Sequence, residues 1–269
     1  MRQTPKWPTE TVDIDTGFAA IVPEPGGRQA TLLVNGVQVS HYDADQPAHL
    51  EFEYMQHFAA VIDTLPARPL RVLHLGAAGC TMARWVDAVR PGSRQLAVEI
   101  DATLARLVRE WFDLPRSPAL RIRIGDARDE LARLGGKYDV IIRDVFATDV
   151  TPPHLVTTEF VRLVADRLKP GGLYLANCED RPPLIKIRRE VASTQSCFDN
   201  VMLIAEPAQF RLRRHGNLVI AARDGVDFDE TAIARMLRRL PIPATFLSGL
   251  ALDNFVAAAS ALRDTGPRV

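Results

Sequence analysis

The sequence predicts an α/β fold in which an open, mostly parallel sheet carries helices on its faces and follows a small antiparallel β-domain. Two observations support this prediction. From residue 71 onward, short apolar runs alternate with segments of helical periodicity, and their short connections imply parallel strands with right-handed crossovers. Before residue 66, strand-like runs are separated by Gly-rich and Asn-Gly turns, which indicate hairpins.

Residues 1–65 form the predicted N-terminal domain. Turns at Glu24–Gly27 and Asn35-Gly36 separate its strands. The predicted strands cover 13–15, 19–22, 29–34 and 37–40. A helix is expected over 49–65, because Leu50, Phe52, Met55, Phe58, Ala59 and Ile62 can share one face. The Pro-rich residues 66–69 then lead into the next domain.

Residues 66–225 form the predicted main domain, and 226–269 a helical extension. In the main domain, strands are expected at 71–75, 94–99, 119–124, 138–143 and 171–178, with helices at 80–90, 102–112, 127–134, 155–168 and 184–195. Two further strands, 201–205 and 218–222, are separated by a gap that suits a hairpin, so the last strand is expected to run antiparallel. Two short helices are predicted between 230 and 262.

Composition excludes several classes of protein. Thirty-three basic residues balance thirty-three acidic ones, so no net charge favours nucleic acid or a membrane surface. No apolar run reaches the roughly eighteen residues of a membrane span, and the N-terminus lacks a signal-peptide pattern. We therefore expect a cytoplasmic protein whose three cysteines are reduced. Its six histidines include no His-x-x-x-His pair and no nearby cysteine, so no metal site is predicted.

Three segments predict a nucleoside site. Gly76, Ala77 and Gly79 lie in a turn of small residues between a strand and a helix, where backbone can approach a ligand, although such residues also serve close packing. Glu99 ends the next strand, where a carboxylate can accept ribose hydroxyls; its alternative role, a helix cap, suits Asp101 better. Asp126 follows the third strand and could accept the adenine amine, cap the next helix, or do both. Ile100 and Ala127, which follow two of these carboxylates, complete the predicted set.

Asp144 is the predicted catalytic residue. It ends the apolar strand Val140–Arg143, and beside Phe146 a partly shielded carboxylate could take a proton from an attacking amine. The alternative is a salt bridge to an arginine such as Arg143 or Arg128. Asp149, in the following loop, is a weaker candidate for holding an ammonium group. We expect Glu99, Asp126 and Asp144, at the ends of successive strands, to share one cleft.

Several motifs resemble a known family. The mostly parallel sheet with a terminal hairpin resembles the class I S-adenosylmethionine-dependent transferase (Rossmann-like) fold. Val72–Gly76, Val98–Asp101, Gly125–Ala127 and Tyr138–Asp144 resemble, in order and spacing, the polyamine aminopropyltransferases, the spermidine synthase family. Leu33–Gln38, the segment from Asp43 to Tyr54 and His215–Ile220 resemble other parts of that family, and the likeness covers most of residues 30–225.

The resemblance implies an aminopropyl transfer from decarboxylated S-adenosylmethionine to a small-molecule amine such as putrescine. Glu99 would bind the ribose, Asp126 the adenine, and Asp144 would be the base. Gln38 and Tyr54 would lie over the site from the N-terminal side. The family resemblance also suggests a homodimer, with strands in 29–40 as a possible interface.

The motifs also depart from the family pattern. An aspartate that grips the donor's amino group is replaced by Gly79, a second aspartate after Asp144 is displaced to Asp149, and the Tyr-His-Glu motif reads Tyr54-Met55-Gln56. Two alternatives therefore stay open. One is a small-molecule methyltransferase that uses intact S-adenosylmethionine, and the other is a non-catalytic nucleoside-binding scaffold of the same fold.

Overall fold

A computed structural model describes residues 7–147 and 150–265. In chain order its elements are β1 (Val12–Ile14), β2 (Gly17–Pro23), β3 (Gln29–Val34), β4 (Val37–Asp43), α1 (Glu53–Ile62), β5 (Arg71–Leu75), α2 (Thr81–Val89), β6 (Arg94–Glu99), α3 (Ala102–Trp111), β7 (Leu120–Ile124), α4 (Ala127–Arg133), β8 (Tyr138–Arg143), a 3-10 turn (Pro153–Leu155), α5 (Thr158–Arg167), β9 (Leu168–Asp180), α6 (Ile185–Gln195), β10 (Asn200–Ala205), α7 (Pro207–Phe210), β11 (Gly216–Arg223), α8 (Glu230–Arg238), β12 (Thr245–Ser248) and α9 (Gly249–Val256).

The chain divides into two compact units. The first comprises the residues up to 52 together with 68–130, and the second comprises 53–67 together with the residues from 131 onward. In the first unit β1 to β4 form an antiparallel sheet in sequence order, as the turn signals predicted. In the same unit β6 pairs in parallel with both β5 and β7, which confirms the predicted parallel strands.

The small sheet of the first unit is attached to α3. Thr16, in the turn between β1 and β2, donates hydrogen bonds from its backbone N–H and its hydroxyl to Asp101 Oδ2, at 2.7 and 2.8 Å. Asp15 in return accepts the N–H groups of Ala102 and Thr103, which begin α3. An apolar core that joins strands of this sheet to α3 includes Ile14, Ala19, Leu32, Tyr42, Leu104, Leu107, Val108 and Phe112.

The second unit contains a sheet of order β12-β10-β11-β9-β8. β8 and β9 are parallel. β11 lies antiparallel between β9 and β10, which confirms the expected reversal of the last predicted strand. The aliphatic and aromatic side chains of β8, β9, β10 and β11 are almost completely buried, as the continuous apolar runs in their sequences require.

Three sequence predictions need correction. The helix predicted over 49–65 begins only at Glu53, because the preceding residues form a loop in which Asp43 Oδ1 accepts the N–H groups of Asp45 and Gln46. The helix predicted over 155–168 is a 3-10 turn followed by α5, which Thr157 caps through its hydroxyl.

The C-terminal tail is not purely helical. Between α8 and α9, residues 245–248 form β12, which pairs antiparallel with β10 and adds an edge strand to the sheet. The short helix α7 was also not predicted; its capping box is made by Glu206 and Gln209. Among the described residues, no helix combines the length and the apolar character that a membrane span requires.

Candidate active site

The turn between β5 and α2 has an unusual backbone. Gly76, Ala78 and Cys80 have φ angles of 87°, 40° and 58°. For residues with a Cβ atom, the left-handed region costs about 1–2 kcal/mol each. Such strain persists only where surrounding contacts impose it, and it is concentrated at functional sites. The turn that was predicted to approach a ligand therefore has a strained backbone, which contacts from residues outside the turn must stabilise.

Glu99 provides that stabilisation. Its Oε2 accepts the N–H groups of Ala77 and Ala78 at 3.2 and 2.9 Å, and its Oε1 accepts the N–H of Asp101 at 3.1 Å. The residue is buried at the C-terminal end of β6. Asp101, not Glu99, caps α3 by accepting the Leu104 N–H, as predicted. These bonds use about three of the roughly four acceptor positions of a carboxylate, so one remains for a hydroxyl.

Gly79 is required by close packing. Its N–H donates to Ser40 Oγ at 2.9 Å, and a Cβ built at this position would lie 2.6 Å from the Ser40 Cβ. No Cβ atom tolerates that distance without movement of the backbone. Position 79 thus lacks a carboxylate because β4 occupies the space that a side chain would need.

Asp126 caps α4. Its Oδ1 accepts the N–H groups of Arg128 and Asp129 at 2.9 and 3.1 Å. This is one of the two roles that the sequence suggested. Ala127 follows at the first helical position, where the backbone N–H has no acceptor within the helix and points outward from its N-terminus.

The other residues of the predicted nucleoside site differ in exposure. Ile100 is a large apolar side chain that is 60% exposed, beside the buried Glu99. Gln38 is exposed on β4, whereas Ser40, two residues later, contacts the turn. A register shift in the β3–β4 pairing separates these two residues.

The second unit contains the candidate base. Asp144 follows β8 and is half-buried. Its Oδ2 accepts a hydrogen bond from the Tyr54 hydroxyl at 2.9 Å, and its Oδ1 accepts one from Asn177 Nδ2 at 2.9 Å. Tyr54 comes from α1 and Asn177 from β9, so three elements fix one carboxylate. The structure therefore brings together the predicted residues Tyr54 and Asp144.

The surroundings of Asp144 alter its acidity. Burial is the largest effect and raises the pKa of Asp144 above its ordinary value, while the bonds from Asn177 and Tyr54 and the charge of Arg143 oppose it. Burial and the nearby Asp144 charge raise the pKa of Tyr54 well above that of free tyrosine. The Tyr54 hydroxyl consequently keeps its proton and donates the hydrogen bond to Asp144, and Asp144 is more basic than an exposed aspartate.

Arg143 does not take the place of Tyr54 as the partner of Asp144. Its fully buried guanidinium donates from Nη2 to Glu190 Oε1 at 2.5 Å and to the Asn177 carbonyl at 3.0 Å. The alternative in which Asp144 serves a salt bridge to Arg143 is thus wrong, because Arg143 is paired with Glu190. Phe146 is half-buried two residues after Asp144. Asp149 lies outside the described residues.

Sequence reasoning missed two residues of these arrangements. Asn177 interrupts the apolar run from Leu173 to Cys178, and an amide in an otherwise apolar buried strand is the signal that could have identified it. Ser40 could not be identified in this way, because a serine within a strand of mixed polar and apolar residues carries no comparable signal.

Comparisons with known proteins agree with this architecture. A family model described as S-adenosyl-L-methionine-dependent methyltransferase matches residues 99–177. The crystal structure of a probable spermidine synthase from Corynebacterium glutamicum is 36% identical, with 99% of each chain covered and a TM-score of 0.92.

Two curated relatives are polyamine aminopropyltransferases. The one from Vibrio vulnificus is 31% identical over 144 residues, which are 52% of this chain and 48% of the relative, so the match spans about half the length of that protein. The one from Neisseria meningitidis serogroup A is 24% identical over 209 residues, 77% of each chain.

The fold and these matches define the chain as a transferase with a Rossmann-like, S-adenosylmethionine-dependent methyltransferase type of fold and a separate small antiparallel N-terminal sheet. Within that class the similarity is specific. The chain belongs to the spermidine synthase-like family.

Proposed function

We propose that the chain transfers an aminopropyl group from decarboxylated S-adenosylmethionine to a small-molecule amine such as putrescine, with Asp144 as the base. The observation that carries this proposal is the Tyr54–Asp144–Asn177 arrangement. It holds a half-buried carboxylate of raised pKa in one orientation, so that a cationic amine would be attracted to it and could lose a proton to it.

The chemistry needs such a group because primary amines have pKa values near 10 and are mostly protonated at neutral pH. After loss of a proton to Asp144, the amine nitrogen attacks the aminopropyl carbon next to the sulfonium. The new C–N bond forms as the C–S bond breaks, and both electrons of that bond remain on sulfur. Methylthioadenosine leaves as a neutral thioether, and the proton passes from Asp144 to solvent.

The first unit would bind the donor. Glu99 has acceptor capacity for one ribose hydroxyl, and its bonds to Ala77 and Ala78 place the turn beside it. Asp126 and the N–H of Ala127 would recognise adenine. Because sulfonium is already a good leaving group, the protein would contribute mainly orientation and proton removal.

The second candidate is methyl transfer from intact S-adenosylmethionine, with which Gly79 is compatible. Gly79 supplies no carboxylate to pair with the donor's amino group, and a carboxylate there would also have repelled the carboxylate of the intact donor. The identity of the donor therefore has to be measured.

The decisive experiment is a comparison of the two donors. Purified protein is incubated with putrescine and either decarboxylated or intact S-adenosylmethionine, and the nucleoside product is identified by mass spectrometry. Methylthioadenosine from the decarboxylated donor supports aminopropyl transfer. Formation of S-adenosylhomocysteine from the intact donor would show that the reaction is methyl transfer instead. Binding of a donor by calorimetry without formation of either product would indicate a non-catalytic scaffold.

Asp144→Asn tests the proposed base. We expect turnover to be lost while methylthioadenosine binds within a few-fold of wild type by calorimetry. Asp139→Asn is the matched control, because Asp139 is a buried carboxylate at the other end of the same strand and pairs with Lys169. Full activity of Asp144→Asn would remove this residue from the mechanism.

A further inference from the structure

Two histidines and a glutamate come together in the first unit. His41 lies on β4, and His49 and Glu51 lie in the segment that follows it. One ligand atom from each of the three lies within 4.8 Å of the other two. His49 Nε2 and Glu51 Oε2 are 3.1 Å apart. The imidazole rings of His41 and His49 meet edge to face, with centroids 5.8 Å apart.

The state of His41 is the observation that points to a ligand. The residue is only 4% exposed, and neither of its ring nitrogens has a hydrogen-bond partner. A buried imidazole has one donor and one acceptor, and native structures rarely leave such groups unsatisfied. His57 shares this property, but in the described part of the chain it belongs to no comparable group of ligands.

We propose that His41, His49 and Glu51 bind a divalent transition-metal ion, in the first instance Zn²⁺. Two imidazoles and one carboxylate are a common zinc-binding set, whereas Mg²⁺ and Ca²⁺ prefer sites made of oxygen atoms. Ligand atoms about 2.0–2.2 Å from a tetrahedral zinc ion are about 3.3 Å from one another. Small side-chain rotations would therefore bring the three groups into place.

Two further features suit an ion at this position. Glu24 Oε1 lies 3.6 Å from His41 Nδ1, and a carboxylate that faces one imidazole nitrogen orients the ring and makes its other nitrogen a better ligand. The side chains of His49 and Glu51 are 39% and 56% exposed, which leaves an entry path from solvent. The site thus has a buried ligand, two exposed ligands and an outer carboxylate.

The sequence hides this site because its ligands follow no helical spacing. His49 and Glu51 are two residues apart in a loop, where their side chains lie 3.1 Å from each other, while His41 reaches them from a strand. A bound ion would fasten the loop between β4 and α1 to the end of β4. The proposal is independent of the transfer reaction, and its test uses no activity assay.

The test uses untagged full-length protein that has been stripped with a chelator. Titration with ZnCl₂ is expected to show one ion per chain, and Co²⁺ in its place is expected to give the visible absorption of a tetrahedral site. His49→Ala and Glu51→Gln should each weaken Zn²⁺ binding by more than about 100-fold. Glu24→Gln should have a smaller effect, within the roughly 10–100-fold range of outer-shell partners.

His215→Ala is the matched control, because His215 is an exposed histidine of the second unit and should leave binding unchanged. His49 and Glu51 are exposed enough for their variants to fold, and thermal melting without metal verifies this. Zn²⁺ should raise the melting temperature of the wild type but not that of His49→Ala. Absence of binding to the wild type, or equal binding by the His49 and Glu51 variants, would overturn the proposal.

Discussion

The Tyr54 hydroxyl lies 2.9 Å from Asp144 Oδ2 and donates a hydrogen bond to it, although 90 positions separate the two residues in the chain. This contact also determines which of the two residues carries the shared proton. The pKa of Tyr54 lies far above neutrality, owing mainly to burial and then to the Asp144 charge, so the proton stays on Tyr54. Asp144 is therefore always the acceptor of this bond.

Tyr54→Phe should slow the reaction without abolishing it. A hydrogen bond to a charged group contributes about 1.5–3 kcal/mol, which corresponds to a rate loss of about 10–150-fold if it is needed in the transition state. The bond also lowers the pKa of Asp144, so its loss should move the acid limb of the pH profile of kcat/KM to higher pH. The control is Tyr42→Phe in the first unit, because the Tyr42 hydroxyl accepts a hydrogen bond from the Asp113 N–H. An unmoved acid limb would contradict the assigned role.

Asp144→Asn should make the fold more resistant to heat at pH 7. The raised pKa means that the ionised form is disfavoured in the folded state, so the wild type is stabilised by protonation as the pH falls through the folded pKa towards 3.8. The advantage of the variant is thus greatest at neutral pH and should shrink on acidification. Melting temperatures of both proteins at pH 7 and pH 5 check this. A larger difference between variant and wild type at pH 5 than at pH 7 would contradict the prediction.

Gly79→Asp should destabilise the protein. The new Cβ would lie 2.6 Å from the Ser40 Cβ, and overpacking of this kind costs about 1–3 kcal/mol. Addition of Ser40→Gly should recover part of the loss, because it removes the clashing atom. Urea denaturation of the single and double variants measures both effects. Equal free energies of unfolding for Gly79→Asp and the wild type would show that β4 can move at Ser40 without a measurable cost in stability.

Glu190→Ala should be more damaging than removal of the whole ion pair. It leaves the fully buried guanidinium of Arg143 without its carboxylate, and a broken buried pair typically costs about 3–5 kcal/mol. The double variant Arg143→Met with Glu190→Leu replaces both charges by apolar groups and should unfold at a higher urea concentration than the single variant. The opposite order would mean that Arg143 finds another partner.

The sequence predicted the strands of the alternating region closely, and the reason is burial. β5, β6 and β8 match their predicted bounds because each has a buried apolar centre and polar residues at or near its ends. β12 escaped prediction because it has only four residues after Pro241 and Pro243, and its partner β10 lies about forty positions earlier. Edge strands of this kind depend on the sheet that they join.

The positions of the candidate residues were predictable where they depend on a strand end and hidden where they depend on packing. Glu99, Asp126 and Asp144 lie at or just after the C-terminal ends of strands, and each of them could be singled out from that position. Asn177 and the group around His41 could not be singled out, because their contacts are with residues that are distant in the sequence.

The reciprocal bonds of Asp15 and Thr16 with the beginning of α3 set a limit on how this protein can be shortened. A fragment that starts at the proline-rich connection would lose the acceptor for the Ala102 N–H and uncover the apolar side of α3, including Leu104 and Val108. Glu99 ends the strand that comes just before that helix. Removal of the N-terminal strands would therefore destabilise the remaining part of the first unit, including the turn that Glu99 holds through Ala77 and Ala78.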